Sequence, residues 1–309
     1  MTATAATTPD RSARKAPLLG GLMVLASAVC FATGATFSKV AYDHGTDTVG
    51  LLIVRMPTAA VILLAISALI ARVPRVGAHR RKLLLVTVLS FLQTYTYFKS
   101  LDLTSAAIAV LLLYTYPLIV MLMARFTLGE PITKLKLLVL ALAMAGVAMT
   151  IGGVSGSFSV EGAALALTSG ILFAGFLVAS KDYLDGSVPP LETIGFVYLL
   201  SSLGWFAVGA VGGAAFPADA TGWGALAALI GISTVAAMGL FIAGLDRISA
   251  GAASMLSTLE PAVAVGLAFL FVGEAVTTVQ LVGIALVVIA LLLLSNALAR
   301  GPEVPAHTP

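Results

Sequence analysis

The sequence is short of charge. Only 10% of its 309 residues are Asp, Glu, Lys or Arg, against about 25% in an average soluble domain. Cysteine is limited to Cys30, so no internal disulfide can form and the redox compartment leaves no trace. The three histidines, His44, His79 and His307, fall in polar breaks or the tail, which excludes a histidine metal cluster within the apolar segments. There is no zinc, nucleotide or nucleophile motif, and no cofactor or metal is expected. The net charge of +3 does not point to nucleic acid, because the basic residues are scattered between apolar runs.

Hydrocarbon is what the sequence does have. Apolar residues make up 60% of it and the mean hydropathy is +1.07. A helix needs roughly 20 apolar residues to cross about 30 Å of lipid, and runs of that kind recur between short polar breaks. They are continuous rather than alternating with period two, which excludes an outer-membrane barrel. The expected fold class is all-α: a polytopic membrane protein of ten transmembrane helices, at about 18–42, 49–71, 82–100, 104–125, 133–152, 160–184, 191–213, 221–244, 250–272 and 277–298. Residues 1–17 and 299–309 are expected as tails, the first disordered. A basic start before an apolar run resembles a signal peptide, but this run continues to about Tyr42, longer than an h-region of roughly 7–15 residues. LASAVC at 25–30 resembles a lipoprotein cleavage box, in which Val29 is too large. A retained first span is expected.

Charge assigns the sides. The N-terminus, the even-numbered loops and the C-terminus carry Arg11, Arg14, Lys15, Arg72, Arg75, Arg80, Arg81, Lys82, Arg125, Lys134, Lys136, Lys181, Arg247 and Arg300, which is 14 of the 17 basic residues. Only Lys39, Arg55 and Lys99 fall toward the other side. The positive-inside rule then places both termini in the cytoplasm, as an even span count requires. The expected location is a bacterial inner membrane, with the lipid bilayer as one partner.

The chain also repeats itself. YFKSLDLTSA at 97–106 aligns with FIAGLDRISA at 241–250, so that Asp102 meets Asp246 and Ser105 meets Ser249, an offset of 144 (246 − 102). At the same offset Pro117 meets Pro261, Gly129 meets Gly273 and Glu130 meets Glu274. Earlier in each half, FATGATFSK at 31–39 aligns with FAGFLVASK at 173–181, an offset of 142 (173 − 31), bringing Lys39 onto Lys181. One five-span unit is present twice, at 18–153 and 160–298. Because five is odd, the second copy enters the membrane upside down, an inverted repeat of the kind that supports alternating access around a midplane site.

With these features the chain resembles the drug/metabolite transporter superfamily, specifically ten-span EamA-type exporters. The features are FATGATFSK in the first span, LD-x-x-SA opening spans four and nine, the mid-span prolines and the paired GE at 129–130 and 273–274. Among relatives it is most similar to YddG-type amino acid exporters. The resemblance covers almost the whole chain and implies export of small metabolites from the cytoplasm without ATP hydrolysis.

Candidate site residues follow from polarity in hydrocarbon. LEPAV at 259–263 puts Glu260 and Pro261 side by side, and TYPLI at 115–119 puts Tyr116 and Pro117 in the corresponding places. Each proline deletes a backbone bond and frees a carbonyl one turn earlier, near Leu113 and Ser257, so both spans are expected to bend, either as hinges or as static kinks. Glu260 lies about 15 Å deep at 1.5 Å per residue, where an acid faces a cavity or the bundle interior. It reads as a cation- or proton-binding group, or as a structural cap. Arg55 could hold a substrate carboxylate or snorkel outward. Lys39 and Lys181 read as gate contacts or snorkelling anchors. Gln93 and Tyr97, one turn apart, with Thr94, Tyr114, Tyr116, Ser257 and Thr258, suit a small amphiphile. Tyr95, Tyr97, Tyr183 and Tyr198 could instead be interfacial anchors, and Trp205 and Trp223 belt or packing residues. A deep acid, an arginine and aromatics together favour a neutral or aromatic amino acid. A drug or nucleotide-sugar carrier is the alternative. A membrane enzyme is disfavoured, because it would need paired catalytic groups at one depth. Protons are a candidate coupling ion, and the expected assembly is a monomer or weak oligomer.

Overall fold

Without water, a backbone can satisfy its N–H and C=O groups only within itself, so continuous apolar sequence folds as helix. The computed structural model describes residues 11–70, 80–152, 158–184, 188–272 and 275–300, and every regular element among them is helical. The helices are α1 (Arg11–Asp43), α2 (Thr48–Ile70), α3 (Arg80–Leu103), α4 (Ala106–Leu113), α5 (Tyr116–Thr127), α6 (Lys134–Thr150), α7 (Val160–Tyr183), α8 (Pro190–Gly212), α9 (Ala220–Ile230), α10 (Ala237–Arg247), α11 (Ala250–Leu256), α12 (Leu259–Leu267) and α13 (Thr278–Arg300). A π-helical turn, Gly231–Ala236, joins α9 to α10, and a second, Ala268–Val272, extends α12. Helix α1 begins at Arg11, inside the stretch expected as a tail.

Among the described residues, eight helical stretches are long and apolar enough to cross a membrane: Pro17–Asp43, Thr48–Ile70, Ala106–Thr127, Val160–Tyr183, Pro190–Gly212, Ala220–Arg247, Ala250–Leu270 and Thr278–Ala299. Two of the expected ten fall short on that measure. Helix α6 is only 17 residues long. Helix α3 dilutes its apolar character with Gln93, Thr94, Tyr95, Thr96 and Tyr97.

Contacts between loops and helix termini define two ends. At one, His44 Nδ1 lies 2.7 Å from Asp219 Oδ2, Thr46 donates to the Ala215 carbonyl at 2.9 Å, and Gln280 on α13 donates to the Thr150 carbonyl at 3.3 Å. At the other, Lys82 on α3 pairs with Asp182 on α7 at 2.8 Å. That second end also carries Arg125, Lys134, Lys136, Lys181 and Arg247 and is termed the basic end; its opposite is the far end. Lys136 is buried there, its Nζ donating to the Pro131 carbonyl at 3.2 Å.

The main helix pairings are preserved when the two halves are exchanged. Helix α1 packs on α10 and α7 on α3, a pair that the repeat interchanges; α2 packs on α8 and α6 on α13, each with its own counterpart. The crossings agree in detail. A Cβ at Gly20 would stand 2.7 Å from Arg247 Cβ and 2.9 Å from Ile248 Cγ2, and one at Gly162 would stand 3.0 Å from Leu103 Cβ and 2.9 Å from Thr104 Cβ. Gly162 is Gly20 plus 142, and residues 247 and 248 are 103 and 104 plus 144. Both approaches leave no room for a side chain, which is why glycine stands at each. Gly20 and the Ser169–Gly170 pair thus pack helices within one chain: Gly170 faces the Leu112 and Leu113 carbonyls of α4.

The two spans with mid-chain prolines are broken, each one turn before the proline. Helix α4 ends at Leu113 and α5 starts at Tyr116; α11 ends at Leu256 and α12 starts at Leu259. The helix caps match as well: Ser105 before α4 has φ −64° and ψ 148°, and Ser249 before α11 has φ −65° and ψ 150°.

Candidate substrate-binding cavity

The breaks in α4–α5 and α11–α12 face a cavity of about 450 Å³, within the range of small-molecule sites. It reaches Ile151 beyond α6 at the far end. On the other side it stops at Phe241 and Ser257, six or seven residues or about 10 Å of helix short of Arg247 and Ala250. Between cavity and basic end lie Leu245, Ile248, Ala252, Ala253, Met255 and Leu256, all buried. The chamber therefore opens toward the far end and is sealed at the basic end.

Seven of the eight expected binding residues line it: Arg55, Gln93, Tyr97, Tyr114, Tyr116, Ser257 and Glu260. Thr258 does not. It is fully buried and its hydroxyl donates to the Met255 carbonyl at 2.6 Å, because the break at Ser257–Thr258 turns it away from the chamber. Pro261 lines the cavity, whereas Pro117 is buried at the start of α5. The carbonyl expected to be free at Ser257 accepts the Glu260 N–H at 3.1 Å, so a tightened turn absorbs the loss that Pro261 causes.

Glu260 is held between aromatic neighbours. The Tyr114 hydroxyl faces its carboxylate, and Tyr114 packs against Tyr116 with ring centroids 5.8 Å apart. Tyr116 meets Phe173 edge-on at 4.7 Å, and Phe173 stacks on Phe176 at 6.0 Å. Arg55 does not snorkel. It lines the chamber and its Nε donates to Thr234 Oγ1 at 2.7 Å. Thr234 sits on the π turn and donates in turn to the Leu229 carbonyl at 3.0 Å. The same turn brings Ser233 Oγ within 2.7 Å of Thr33 Oγ1 on α1. Using Nε on Thr234 leaves the two terminal amino groups of Arg55 for a ligand, the fork that grips a carboxylate. Gln93 exchanges hydrogen bonds with Ser169 on α7, its Nε2 donating at 3.2 Å and its backbone carbonyl accepting at 3.1 Å.

Sequence reasoning missed the aromatic wall of Phe31, Phe173, Phe176 and Phe241. Phenylalanine is as ordinary on a lipid-facing surface, and nothing local marks these four. Tyr198, read as a possible anchor, is buried and lines the cavity. Trp205 is buried against Phe91 at 5.2 Å and Tyr95 at 6.4 Å, while Trp223 is exposed. Of the lysines expected at gates, Lys39 is exposed. Lys181 Nζ donates to the Leu245 and Asp246 carbonyls at 2.8 and 3.0 Å.

Apolar helices packed as two matching halves around a half-open, aromatic-walled chamber have the architecture of a membrane transporter. The chain belongs to the EamA-like transporter family, whose pattern it matches twice, over residues 18–152 and 160–296. It is 33% identical over 138 residues to the uncharacterized transporter YwfM of Bacillus subtilis (strain 168), covering 45% of this chain and 46% of that one. It is 29% identical over 213 residues to the uncharacterized transporter sll1319 of Synechocystis, covering 67% and 64%. The matches thus span about half to two thirds of the length of these relatives. A crystal structure at 19% identity superposes with a TM-score of 0.78 over 91% of this chain and 97% of its own, a likeness of fold.

Proposed function

We propose that the protein is a secondary exporter of small zwitterions with apolar side chains, neutral or aromatic amino acids, working by alternating access in a bacterial inner membrane. One observation carries the reading: an aromatic-walled chamber is lined by Arg55 and Glu260 together. An arginine fork suits a carboxylate and a deep acid suits an ammonium, while Phe173, Phe176 and Phe241 suit the side chain. A nucleotide-sugar substrate fits less well, because among the described residues Arg55 is the only basic one lining this chamber and a diphosphate would remain largely uncompensated. In this reading α3 and α6 complete ten spans, and α3 is polar because Gln93, Thr94 and Tyr97 face the chamber. The two halves are inverted copies, and the basic end with both termini faces the cytoplasm.

The test is efflux of labelled Phe or Leu from proteoliposomes. Wild type is expected to release it, with Arg55→Ala and Glu260→Ala both slower. No release from correctly inserted wild type rejects the substrate class. Repeating the release with and without a pH gradient separates proton exchange at Glu260 from passive flow.

A further inference from the structure

The two halves match in their main helix pairings and at their helix caps, yet their counterpart turns are held differently. The α10–α11 turn, Asp246–Ser249, is gripped at both ends. Lys181 on α7 reaches the last carbonyls of α10, 2.8 Å from Leu245 O and 3.0 Å from Asp246 O. Glu130, in the loop after α5, accepts the Ala250 N–H at 2.7 Å and the Gly251 N–H at 3.1 Å. A cation on helix-terminal carbonyls and an anion on helix-initial N–H groups each meet the favourable end of the backbone dipoles. Ser249 also accepts the Ala252 N–H at 3.2 Å.

The counterpart turn, α3–α4 over Asp102–Ser105, has none of these contacts among the described residues. Lys39, the repeat partner of Lys181, is exposed and makes no bond there. Ala106, the partner of Ala250, is exposed, and the shielded Ser105 Oγ has no hydrogen-bond partner. Asp102 instead pairs with Lys99 at 3.1 Å. Glu274 lies outside the described residues. The gripped turn is at the basic end, where the chamber is sealed, and the turn that Lys39 does not hold is at the far end, where it opens.

We infer that Lys181 and Glu130 form a two-point latch on the α10–α11 turn that holds the basic end shut, and that Lys39 engages the Leu101 and Asp102 carbonyls as its counterpart when the far end closes. The latch rests on the alternating-access reading but not on any substrate. Its test therefore uses accessibility rather than transport, and failure of the amino acid reading leaves it standing.

Purified full-length Cys30→Ser protein in nanodiscs, with both faces open to reagent, would carry one reporter cysteine. At Ala35→Cys the reporter faces the chamber; at Ala253→Cys it is buried in the seal. With the latch intact, a polar maleimide should label position 35 quickly and position 253 slowly. Glu130→Gln or Lys181→Met should raise labelling of position 253 about tenfold and slow that of position 35, the scale of one lost charge-assisted hydrogen bond. Lys181→Arg, which keeps a cationic donor, should behave as wild type. Adding Lys39→Met to Lys181→Met should restore fast labelling of position 35. If either latch variant fails to fold, the other carries the test alone. Unchanged labelling in folded latch variants overturns the latch, and no restoration by Lys39→Met overturns its counterpart.

Discussion

In α4–α5 the helix stops at Tyr114–Thr115, and in α11–α12 it stops at Ser257–Thr258. The backbones are close equivalents, down to the caps at Ser105 and Ser249. The side chains are not. The first break offers Tyr114 and Tyr116 to the chamber, and the second offers Ser257 and Glu260. Repetition therefore supplies the bend twice, while the chemistry is divided: phenols from one copy enclose the carboxylate from the other. The lesson is that a repeat constrains geometry more tightly than it constrains what the geometry presents.

The largest effect that tests this division is expected at Glu260. In the proposed exporter, Glu260→Ala removes the partner of a buried ammonium, a loss of about 1.5–3 kcal/mol, and efflux at low substrate should fall roughly ten- to a hundredfold. Tyr114→Phe on the opposite break should cost less, because it removes only a neutral donor. An equal loss at both positions would show that the breaks contribute alike.

Next come the paired crossings. Gly20→Ala and Gly162→Ala each push a Cβ to within 3 Å of a neighbour's Cβ, and overpacking of this kind costs about 1–3 kcal/mol. Both variants should lower the melting temperature in detergent by similar amounts. Tolerance of one alone would show that the halves are not mechanically equivalent.

A smaller effect is expected at the π turn. Thr234→Val removes the acceptor that orients Arg55, worth about 0.5–1.5 kcal/mol, and should raise the apparent KM for an amino acid severalfold while Thr234→Ser preserves it. No change in KM would mean that Arg55 is positioned without the turn.

The smallest concerns the far-end strap. The Gly222 N–H and then His44 hold the Asp219 carboxyl below the usual carboxylate range. A depressed folded-state pKa adds stability that is complete above the unfolded value, about 3.9, and is lost as pH falls through the lower folded value. Asp219→Asn should therefore melt slightly below wild type at pH 5, and the gap should close as pH drops below 4. A gap that persists at low pH would assign the strap to uncharged contacts.

Much of this molecule was legible because hydrocarbon makes polarity conspicuous. Glu260, Arg55 and Gln93 are costly in lipid, so their presence in apolar runs already marked the chamber, and the ordered Pro, Gly and acid matches marked the repeat. What remained hidden depended on tertiary placement. Phe173 and Phe241 look like any lipid-facing residue until neighbouring helices are in place. Thr258 looked equivalent to Ser257 until the break rotated the two apart. The partnership of Arg55 with Thr234 spans 179 positions, and no local pattern encodes it. The Gly231–Ala236 turn carries no proline or charge to announce it.

That turn also bears on balance. Helix α3 occupies the corresponding place in the first copy and runs as regular α-helix from Arg80 to Leu103, whereas the second copy is locally underwound by a π step. Halves that are not true duplicates cannot trade shapes at equal cost. In the proposed exporter the cycle is therefore weighted, with a preferred resting posture to which this irregular turn of one helix contributes.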